Sequence, residues 1–226
     1  MKALAIDTAV SCIYIAAKCD ENTVTLRLDI GMKQAEKLLP AIDYVLNQVG
    51  LSAKELDYMA LTVGPGSFTG LRLGMSALKA IHLAYNIPVY AFSTLDVYAY
   101  DFSDSREKII SVIDAKKDRF YACVYAQGVR VSEPFDEEPS DIAKRLESAE
   151  SYVAIGADSA LFVEKMHEVS PNMQIRADKK NVVTTDALFL MAEEKIAKKE
   201  PPLQDYDGPF YIRKSEAEEK LPKNAQ

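Results

Sequence analysis

The stretch VGPGSFTGLRLG, residues 63–74, decides how the rest of the chain is interpreted. An apolar run of strand length ends at the turn Gly64-Pro65-Gly66. Ser67 or Thr69 then supplies a side-chain oxygen that caps a helix running to about Asn86. We therefore predict a strand, a tight turn and a helix start. Such a junction presents backbone N–H groups at the positive end of a helix dipole, which suits an anion or a partner's polar loop.

Three well-known loops of this general kind do not match the stretch. A phosphate-binding P-loop needs a lysine directly after its last glycine, but Leu71 follows Gly70 and the next lysine is Lys79. A dinucleotide-binding turn needs a third glycine where Thr69 stands. A nucleophile elbow needs glycine where Pro65 stands. A tight turn without chemistry of its own therefore stays open as an interpretation.

The first part of the chain has the pattern of three strands followed by a helix. Residues 3–6, 12–17 and 24–30 each have strand length and are joined by short polar connections, which predicts three antiparallel strands. Apolar residues at helical spacing follow and predict an amphipathic helix that ends at Gly50. Pro40 should start or kink this helix, because proline lacks the N–H that the helix interior requires.

The segments on either side of residues 63–74 complete a first lobe. Ser52-Ala53-Lys54-Glu55 has the pattern of a capping box and predicts a short helical turn. A buried strand is expected over residues 87–92, and Ser93-Thr94 should cap a helix over residues 95–100. Residues 101–107 are polar and are interpreted as a linker.

The second half of the chain begins like the first. Asp7 and Asp114 each end an apolar strand and precede a short turn and an aromatic-containing strand, with an offset of 107 residues (114 − 7). We predict two similar lobes, residues 1–103 and 104–226. The second should contain strands at 129–131 and 152–155 and helices at 140–148, 160–168 and 185–199. The tail should pack around Phe210-Tyr211-Ile212 and fray beyond Glu216.

The pattern of three strands followed by helix, strand and helix occurs twice. It defines an α/β fold of two similar βββαβα lobes. This is the layout of the actin-like ATPase (RNase H-like) fold, and it does not settle the function.

Composition limits the classes of function. The chain has 226 residues, of which 48% are hydrophobic and 27% charged, and a formal net charge of −7. A protein that grips a nucleic-acid backbone by itself usually has a basic face, so any RNA should be held mainly by a partner. The three cysteines lack metal-binding spacing and are interpreted as buried, reduced thiols. Without a signal-peptide core or an apolar span, we expect a soluble cytoplasmic protein with no membrane association.

Asp7 and Asp114 are the weak candidates for cofactor binding. Active actin-like ATPases use carboxylates at such strand ends to help hold metal and phosphate, together with glycine-rich turns. The turns after Asp7 and Asp114 contain no glycine, so no firmly bound cofactor is expected. Capping of strand ends is the structural alternative for both residues. An actin-like ATP-dependent phosphotransferase that uses both carboxylates is the alternative function.

The sequence offers no catalytic residue and no metal site. His82 and His167 lie far apart, without a further histidine or cysteine at metal-ligand spacing. Ser67 and Thr69 have no base that the sequence assigns to them, so both are interpreted as helix-capping hydroxyls.

Four segments together resemble the bacterial TsaB (YeaZ) family: residues 64–74, 4–9, 93–95 and 211–213. The resemblance implies the same fold and a non-catalytic subunit of the complex that makes threonylcarbamoyladenosine in tRNA. It implies a TsaD-like catalytic subunit, activated for threonylcarbamoyl transfer to the adenosine next to the anticodon, and a TsaE-like P-loop ATPase. ATP would be used by the complex, tRNA bound only through it, and the chain alone would be a homodimer. Gln34 departs from the family pattern, where a histidine is usual.

The resemblance also implies an interface on the helices of the first lobe. From the pattern alone, the apolar face of the first helix and the small residues of the central helix could equally cover the sheet. The resemblance favours pairing with a partner. The expected interface residues are Leu38, Ile42, Val45, Gly66, Ser67, Phe68, Thr69, Gly70, Arg72, Gly74, Ala77 and Ile81.

Overall fold

The computed structural model describes residues 1–178 and 183–213. The expectation that the chain frays beyond Glu216 lies outside these residues. The described chain forms two lobes, each built around its own sheet. The sheet of the first lobe has the strand order β3-β2-β1-β4-β5. Its strands are β1 (Lys2–Asp7), β2 (Cys12–Cys19), β3 (Asn22–Asp29), β4 (Tyr58–Gly64) and β5 (Val89–Ser93).

Pairing in the first sheet follows the sequence pattern. β1 pairs with β2 and β2 with β3 in antiparallel fashion, so the three predicted antiparallel strands are confirmed. β4 lies parallel to β1, and β5 lies parallel to β4. Asp7, at the end of β1, and Gly64, at the end of β4, therefore reach the same edge of the sheet, since parallel strands end on one side.

Two helices, α1 (Gln34–Gln48) and α2 (Phe68–Tyr85), cover one face of this sheet. α1 presents a continuous apolar stripe that includes Leu38, which is completely buried, and such burial stabilises by roughly 1.5–3 kcal/mol per large apolar side chain. Of the two expectations for Pro40, that it starts or kinks this helix, the first is wrong because the helix begins at Gln34. Pro40 lies inside the helix, on its exposed side.

The predicted ends of α2 are confirmed. Ser67 is the residue that caps it, because its Oγ accepts a hydrogen bond from Gly70 N at 3.3 Å. Asn86 ends the helix in a left-handed conformation with φ of 56°, which asparagine tolerates better than most residues. The capping box at Ser52 and Glu55 is also present, around a turn of 3-10 helix.

The second lobe repeats the arrangement less regularly. Its sheet has the order β11-β10-β6-β7-β8, and β9 pairs with β7. A long antiparallel hairpin of β6 and β7 matches β1 and β2, and β10 and β11 lie parallel beside β6 as β4 and β5 do beside β1. The bounds are β6 (Lys108–Lys116), β7 (Arg119–Ala126), β8 (Val129–Arg130), β9 (Phe135–Glu137), β10 (Tyr152–Ile155), β11 (Ile175–Ala177), α3 (Thr94–Ala99), α4 (Pro139–Arg145) and α5 (Ser159–Val169).

The last helix, α6 (Thr184–Ala197), packs on the sheet of the first lobe. The face of that sheet opposite α1 and α2 carries small residues such as Ala3, Ala5 and Ala60, which let Leu188 and Ala192 of α6 come close. Both faces of the first sheet are therefore covered, although α6 belongs to the second half of the chain. The division at residues 103 and 104 stays a prediction.

The seam between the lobes is formed by α3, which contributes apolar side chains and the Asp96 carboxylate, an acceptor from Tyr125 Oη at 2.6 Å and from Arg130 Nη2 at 2.7 Å. Leu95 and Tyr98 of α3 pack against Ile109 and Ile113 of β6 and against Val153 of β10. The first lobe, as used below, comprises β1–β5, α1, α2 and α6, and the second comprises β6–β11, α4 and α5. Among the described residues, none of the helices has the length and apolar content that crossing a bilayer requires.

Candidate functional site

The Gly64-Pro65-Gly66 turn and the start of α2 rest directly on the β1–β2 turn. Ser67 N donates to the carbonyl oxygen of Ala9 at 2.6 Å, and Ser67 Oγ accepts from Gly70 N. These bonds use N–H groups that the sequence analysis left open for a ligand. More of the backbone N–H groups at this junction therefore have hydrogen-bond acceptors within the chain than the sequence pattern indicates.

The glycines of α2 also face the β1–β2 turn. A Cβ atom at Gly70 would overlap the carbonyl oxygen of Thr8, and one at Gly74 would overlap Thr8 Oγ1. A Cβ atom at Gly66 would overlap the carbonyl oxygen of Ala9. Thr8 Oγ1 in turn donates to the carbonyl oxygen of Gly70 at 2.7 Å. The small residues thus allow close internal packing between helix and turn.

The residues expected at the partner interface fall into three groups. Six are buried within the chain and line no surface of it: Leu38, Ile42, Val45, Gly70, Gly74 and Ala77. Three are half-buried: Gly66, Phe68 and Ile81. Three are exposed: Ser67, Thr69 and Arg72. The assignment of a partner to these residues stays a prediction, and only the last two groups offer it any accessible atoms.

Sequence reasoning missed the exposed apolar side chains of the same helices. Leu39 and Tyr44 of α1 are 60% and 51% exposed, and Leu83 and Tyr85 of α2 are 79% and 52% exposed. They occupy helical positions outside the apolar stripes that face the core. Leu39 and Tyr44 are five positions apart and Leu83 and Tyr85 are two apart, which are not the i, i+3 or i, i+4 spacings of one helix face, so the sequence carries no periodic signal for them. We call these four side chains the outer apolar face.

An aromatic and arginine cluster lies at the start of α2. The rings of Phe68 and Tyr211 are stacked, with centroids 4.1 Å apart and an angle of 13°. The guanidinium of Arg72 lies 4.3 Å from the centroid of Phe68, and Arg72 Nε donates to Tyr211 Oη at 3.1 Å. The C-terminal segment therefore covers part of the α2 end that the sequence analysis assigned to a partner.

Asp7, one of the two candidate cofactor ligands, is completely buried. Its Oδ1 accepts from Ala9 N at 2.9 Å and from Thr62 Oγ1 at 2.7 Å. Burial raises the pKa of Asp7 above its ordinary value, although the hydrogen bonds from Ala9 and Thr62 favour the charged form. The environment thus shifts this carboxyl group toward its neutral, protonated state.

Asp114, the other candidate, has a cation from its own turn. Its Oδ2 lies 2.6 Å from Lys116 Nζ, and its Oδ1 accepts from Lys116 N at 2.7 Å. The hydrogen bond to Asp114 raises the pKa of Lys116, so the ammonium is retained. Lys116, Lys117 and Asp118 all have φ between 55° and 62°, a left-handed conformation that glycine would adopt with less strain. The position where an ATPase would hold metal and phosphate is occupied here by an internal ion pair.

Other candidate groups have structural partners. Gln34 Nε2 donates to the carbonyl oxygens of Val10 and Ser11 at 3.0 and 2.7 Å, so the residue that departs from the family pattern ties α1 to the β1–β2 turn. His82 Nδ1 lies 2.8 Å from the carbonyl oxygen of Ile87, and His167 lies on α5. Within residues 1–178 and 183–213, His, Cys, Asp and Glu side chains form no group of three or more that could hold a metal ion.

The cysteines are free thiols. Cys123 is buried, as expected, whereas Cys12 and Cys19 are only half-buried at the two ends of β2. The prediction of burial is therefore wrong for these two.

Two solved structures define the class of fold. YeaZ from Pseudomonas aeruginosa matches 93% of this chain and 99% of its own with a TM-score of 0.78, at 24% sequence identity. A Bacteroides thetaiotaomicron protein with an actin-like ATPase fold and unknown function matches 84% of this chain and 95% of its own, with a TM-score of 0.50 and 10% identity. The chain has the actin-like ATPase fold, as its sequence predicts.

The sequence comparisons give the family. The model of the family described as "TsaD: tRNA N6-adenosine threonylcarbamoyltransferase" matches residues 32–220. The tRNA threonylcarbamoyladenosine biosynthesis protein TsaB of Buchnera aphidicola subsp. Acyrthosiphon pisum is 30% identical over 126 residues, which are 55% of this chain and 57% of that protein. The chain belongs to this family, as a TsaB (YeaZ) member. The match spans little more than half the length of this curated relative.

Proposed function

We propose that the chain is a non-catalytic subunit in the synthesis of threonylcarbamoyladenosine in tRNA. It would bind a TsaD-like catalytic subunit and activate it for threonylcarbamoyl transfer to the adenosine next to the anticodon. The observation that carries the proposal is the family match over residues 32–220, together with the role in tRNA threonylcarbamoyladenosine biosynthesis for which the TsaB relatives are named. Activation would follow from tighter binding to the competent conformation of the catalytic subunit.

The two candidate carboxylates support a non-catalytic role. Asp7 is buried with a raised pKa, and Asp114 is paired with Lys116. A phosphotransferase would need both groups charged and accessible to metal and phosphate. The geometry therefore favours a subunit over the alternative, an actin-like ATP-dependent phosphotransferase, and we propose no firmly bound cofactor for this chain.

The outer apolar face is the surface we assign to the catalytic subunit. The resemblance to the TsaB family assigns the interface to the helices of the first lobe, and these four are the large apolar side chains that α1 and α2 leave exposed. Leu83, at 79% exposure, is the most exposed of the four and would lose the most contact with water on docking. In the absence of the catalytic subunit, the same face would pair with a second copy of this chain.

The remaining partners follow from the charge and the family. A formal net charge of −7 does not favour direct binding to RNA, so tRNA would be bound only through the complex. A TsaE-like P-loop ATPase would supply the ATP-dependent step. In this role the chain would act in the cytoplasm.

The proposal is tested by tRNA threonylcarbamoylation in a reconstituted mixture of the catalytic subunit, the ATPase subunit and the enzyme that makes the threonylcarbamoyl adenylate. Product should form only when this chain is added, and Asp7→Asn should be as active as the wild type. If the mixture is fully active without the chain, the proposed function is wrong. A titration of the isolated chain with Mg-ATP provides the second readout, since micromolar binding that Asp7→Asn abolishes would favour the phosphotransferase.

A further inference from the structure

The segment after α6, residues 201–213, runs along the first lobe as an extended strap. Its beginning is fixed at the outer edge of β5, where Leu203 N donates to the carbonyl oxygen of Val89 at 2.7 Å. The Leu203 side chain packs against the core between the sheet, α1 and α2. The first contact of the strap thus belongs to the first lobe.

The middle of the strap is fastened to α2. Lys79 Nζ donates to the carbonyl oxygens of Asp205 and Asp207 at 2.6 and 2.5 Å. His82 Nε2 lies 3.5 Å from Asp205 Oδ1. Because the Lys79 ammonium binds two backbone carbonyl oxygens of the strap at once, this single side chain fixes the path of residues 205–207.

The strap then closes over the turn before α2. Phe210 N donates to the carbonyl oxygen of Val63 at 2.7 Å, and the ring of Tyr211 stacks on Phe68. A Cβ atom at Gly64 would overlap the carbonyl oxygen of Phe210, so glycine is needed at this crossing. Up to Tyr211, every one of these contacts is made with the first lobe.

Arg213 reaches the second lobe. Its Nε and Nη2 donate to the two carboxylate oxygens of Asp136 on β9, at 2.7 and 2.8 Å. Its Nη1 lies 3.4 Å from the carbonyl oxygen of Ala115 on β6. Only Ile212 lies between Tyr211 and Arg213, so the chain crosses from one lobe to the other within about 7 Å.

The contact between Arg213 and Asp136 is strong and directional. The Asp136 side chain is only 10% exposed, and it also accepts from Arg119 Nε at 2.9 Å. A paired fork of two N–H groups on one carboxylate fixes orientation as well as distance. Loss of Arg213 would still leave Asp136 paired with Arg119, so neither lobe would be left with an uncompensated buried charge.

We propose that the strap is a clasp that sets the orientation of the two lobes. The seam at α3, with its apolar contacts and the Asp96–Arg130 ion pair, joins the lobes in one place, and Arg213 on Asp136 joins them in another. When the Arg213 contact opens, the lobes can rotate about the seam while each keeps its own sheet and core. The clasp is a property of the isolated chain and is independent of the function proposed above.

The test measures the distance between one spin label in each lobe of the full chain. Labels at Asn47 on α1 and Glu164 on α5 occupy exposed positions, after Cys12→Ser and Cys19→Ser remove the accessible thiols. Arg213→Ala should broaden the distance distribution, while circular dichroism stays that of the parent. Arg213→Lys retains the charge without the paired N–H groups. Its distance distribution should be intermediate in width between those of the parent and Arg213→Ala.

Arg145→Ala is the matched control. Arg145 Nε donates to Glu137 Oε2 at 3.0 Å, so this variant removes an arginine–carboxylate pair from the same strand as Asp136, but within the second lobe. It should keep the parental distribution. The clasp is refuted if Arg213→Ala leaves the distribution unchanged, or if Arg145→Ala broadens it equally. If Arg213→Ala fails to fold, an unchanged distribution for Arg213→Lys refutes it.

Discussion

Thr8 Oγ1 donates a hydrogen bond to the carbonyl oxygen of Gly70 at 2.7 Å and, in the same position, fills the space in which Gly74 would carry a side chain. One hydroxyl thus joins the β1–β2 turn to two successive turns of α2. The contact is fully buried, since Thr8, Gly70 and Gly74 are all inaccessible to solvent. The conformation of residues 63–74 is therefore fixed by how they fit against the end of β1.

We expect Gly74→Ala to destabilise the fold. Its Cβ would overlap Thr8 Oγ1, and forcing an extra methyl group into a well-packed core costs about 1–3 kcal/mol. Thr8→Ala should cost about 1 kcal/mol through the lost hydrogen bond to Gly70. The double variant should be more stable than the sum of the two effects predicts, because Thr8→Ala removes the overlapping atom. Urea unfolding of the four proteins checks this, and strict additivity would contradict the contact.

Asp7→Asn should change how stability depends on pH. Burial raises the pKa of Asp7 in the folded protein above its unfolded value, so the folded state binds this proton more tightly. The stability that this proton supplies is complete below the unfolded pKa and is lost as the pH rises through the folded pKa. Asparagine cannot titrate, and its Oδ1 can still accept from Ala9 and Thr62. The free energy of unfolding of Asp7→Asn, relative to that of the wild type, should therefore be higher at pH 8 than at pH 4.

Urea unfolding at the two pH values measures the effect. Asp7→Leu is the matched comparison, because it fills similar space but leaves Ala9 N and the Thr62 hydroxyl without an acceptor, at about 1–3 kcal/mol each. It should be destabilised at both pH values. An Asp7→Asn variant with the same stability difference at pH 4 and pH 8 would show that the carboxyl does not titrate abnormally.

The attachment of α6 to the first sheet depends on Glu193. Its Oε1 accepts from Lys18 Nζ at 2.7 Å and from Tyr58 Oη at 2.9 Å, both on strands of that sheet. Glu193→Ala should lower the free energy of unfolding by about 1–3 kcal/mol, because the largely buried Tyr58 hydroxyl loses its acceptor. Glu164→Ala, an exposed substitution on α5, is the control and should stay within about 0.5 kcal/mol of the wild type. Equal stability of the two variants would contradict this role of Glu193.

The sequence predicts the elements well because their signals are local. The turn at Gly64-Pro65-Gly66, the cap at Ser67 and the stop at Asn86 depend only on neighbouring residues, and all three are confirmed. The strand ends predicted at Asp7 and Asp114 likewise indicate two lobes of the observed topology, although β6 continues past Asp114 to Lys116. The strands β9 and β11 have three residues each, too few for a periodic pattern, and the sequence analysis missed them.

What the sequence does not reveal is which surface each element meets. The small residues of α2 fit either a partner helix or the turn at Thr8, and the choice depends on the distance to β1. The apolar residues of α6 fit either sheet, and the small side chains of Ala3 and Ala5 select the first. The pairing of Asp114 with Lys116 and the burial of Asp7 are likewise properties of the folded chain.

The outer apolar face gives the sharpest test of docking. Leu83→Arg places a charge on that face at a residue that is 79% exposed, so the fold should be unaffected. Binding of the TsaD-like catalytic subunit, measured by calorimetry, should weaken at least tenfold, because docking would bury the introduced charge without a partner at a cost of more than about 1.4 kcal/mol. Leu190→Arg is the matched control, an exposed leucine on α6, and should bind as the wild type does. If Leu83→Arg binds normally, the catalytic subunit does not use this face. If it binds normally and the homodimer dissociates, the face serves pairing between two copies of this chain.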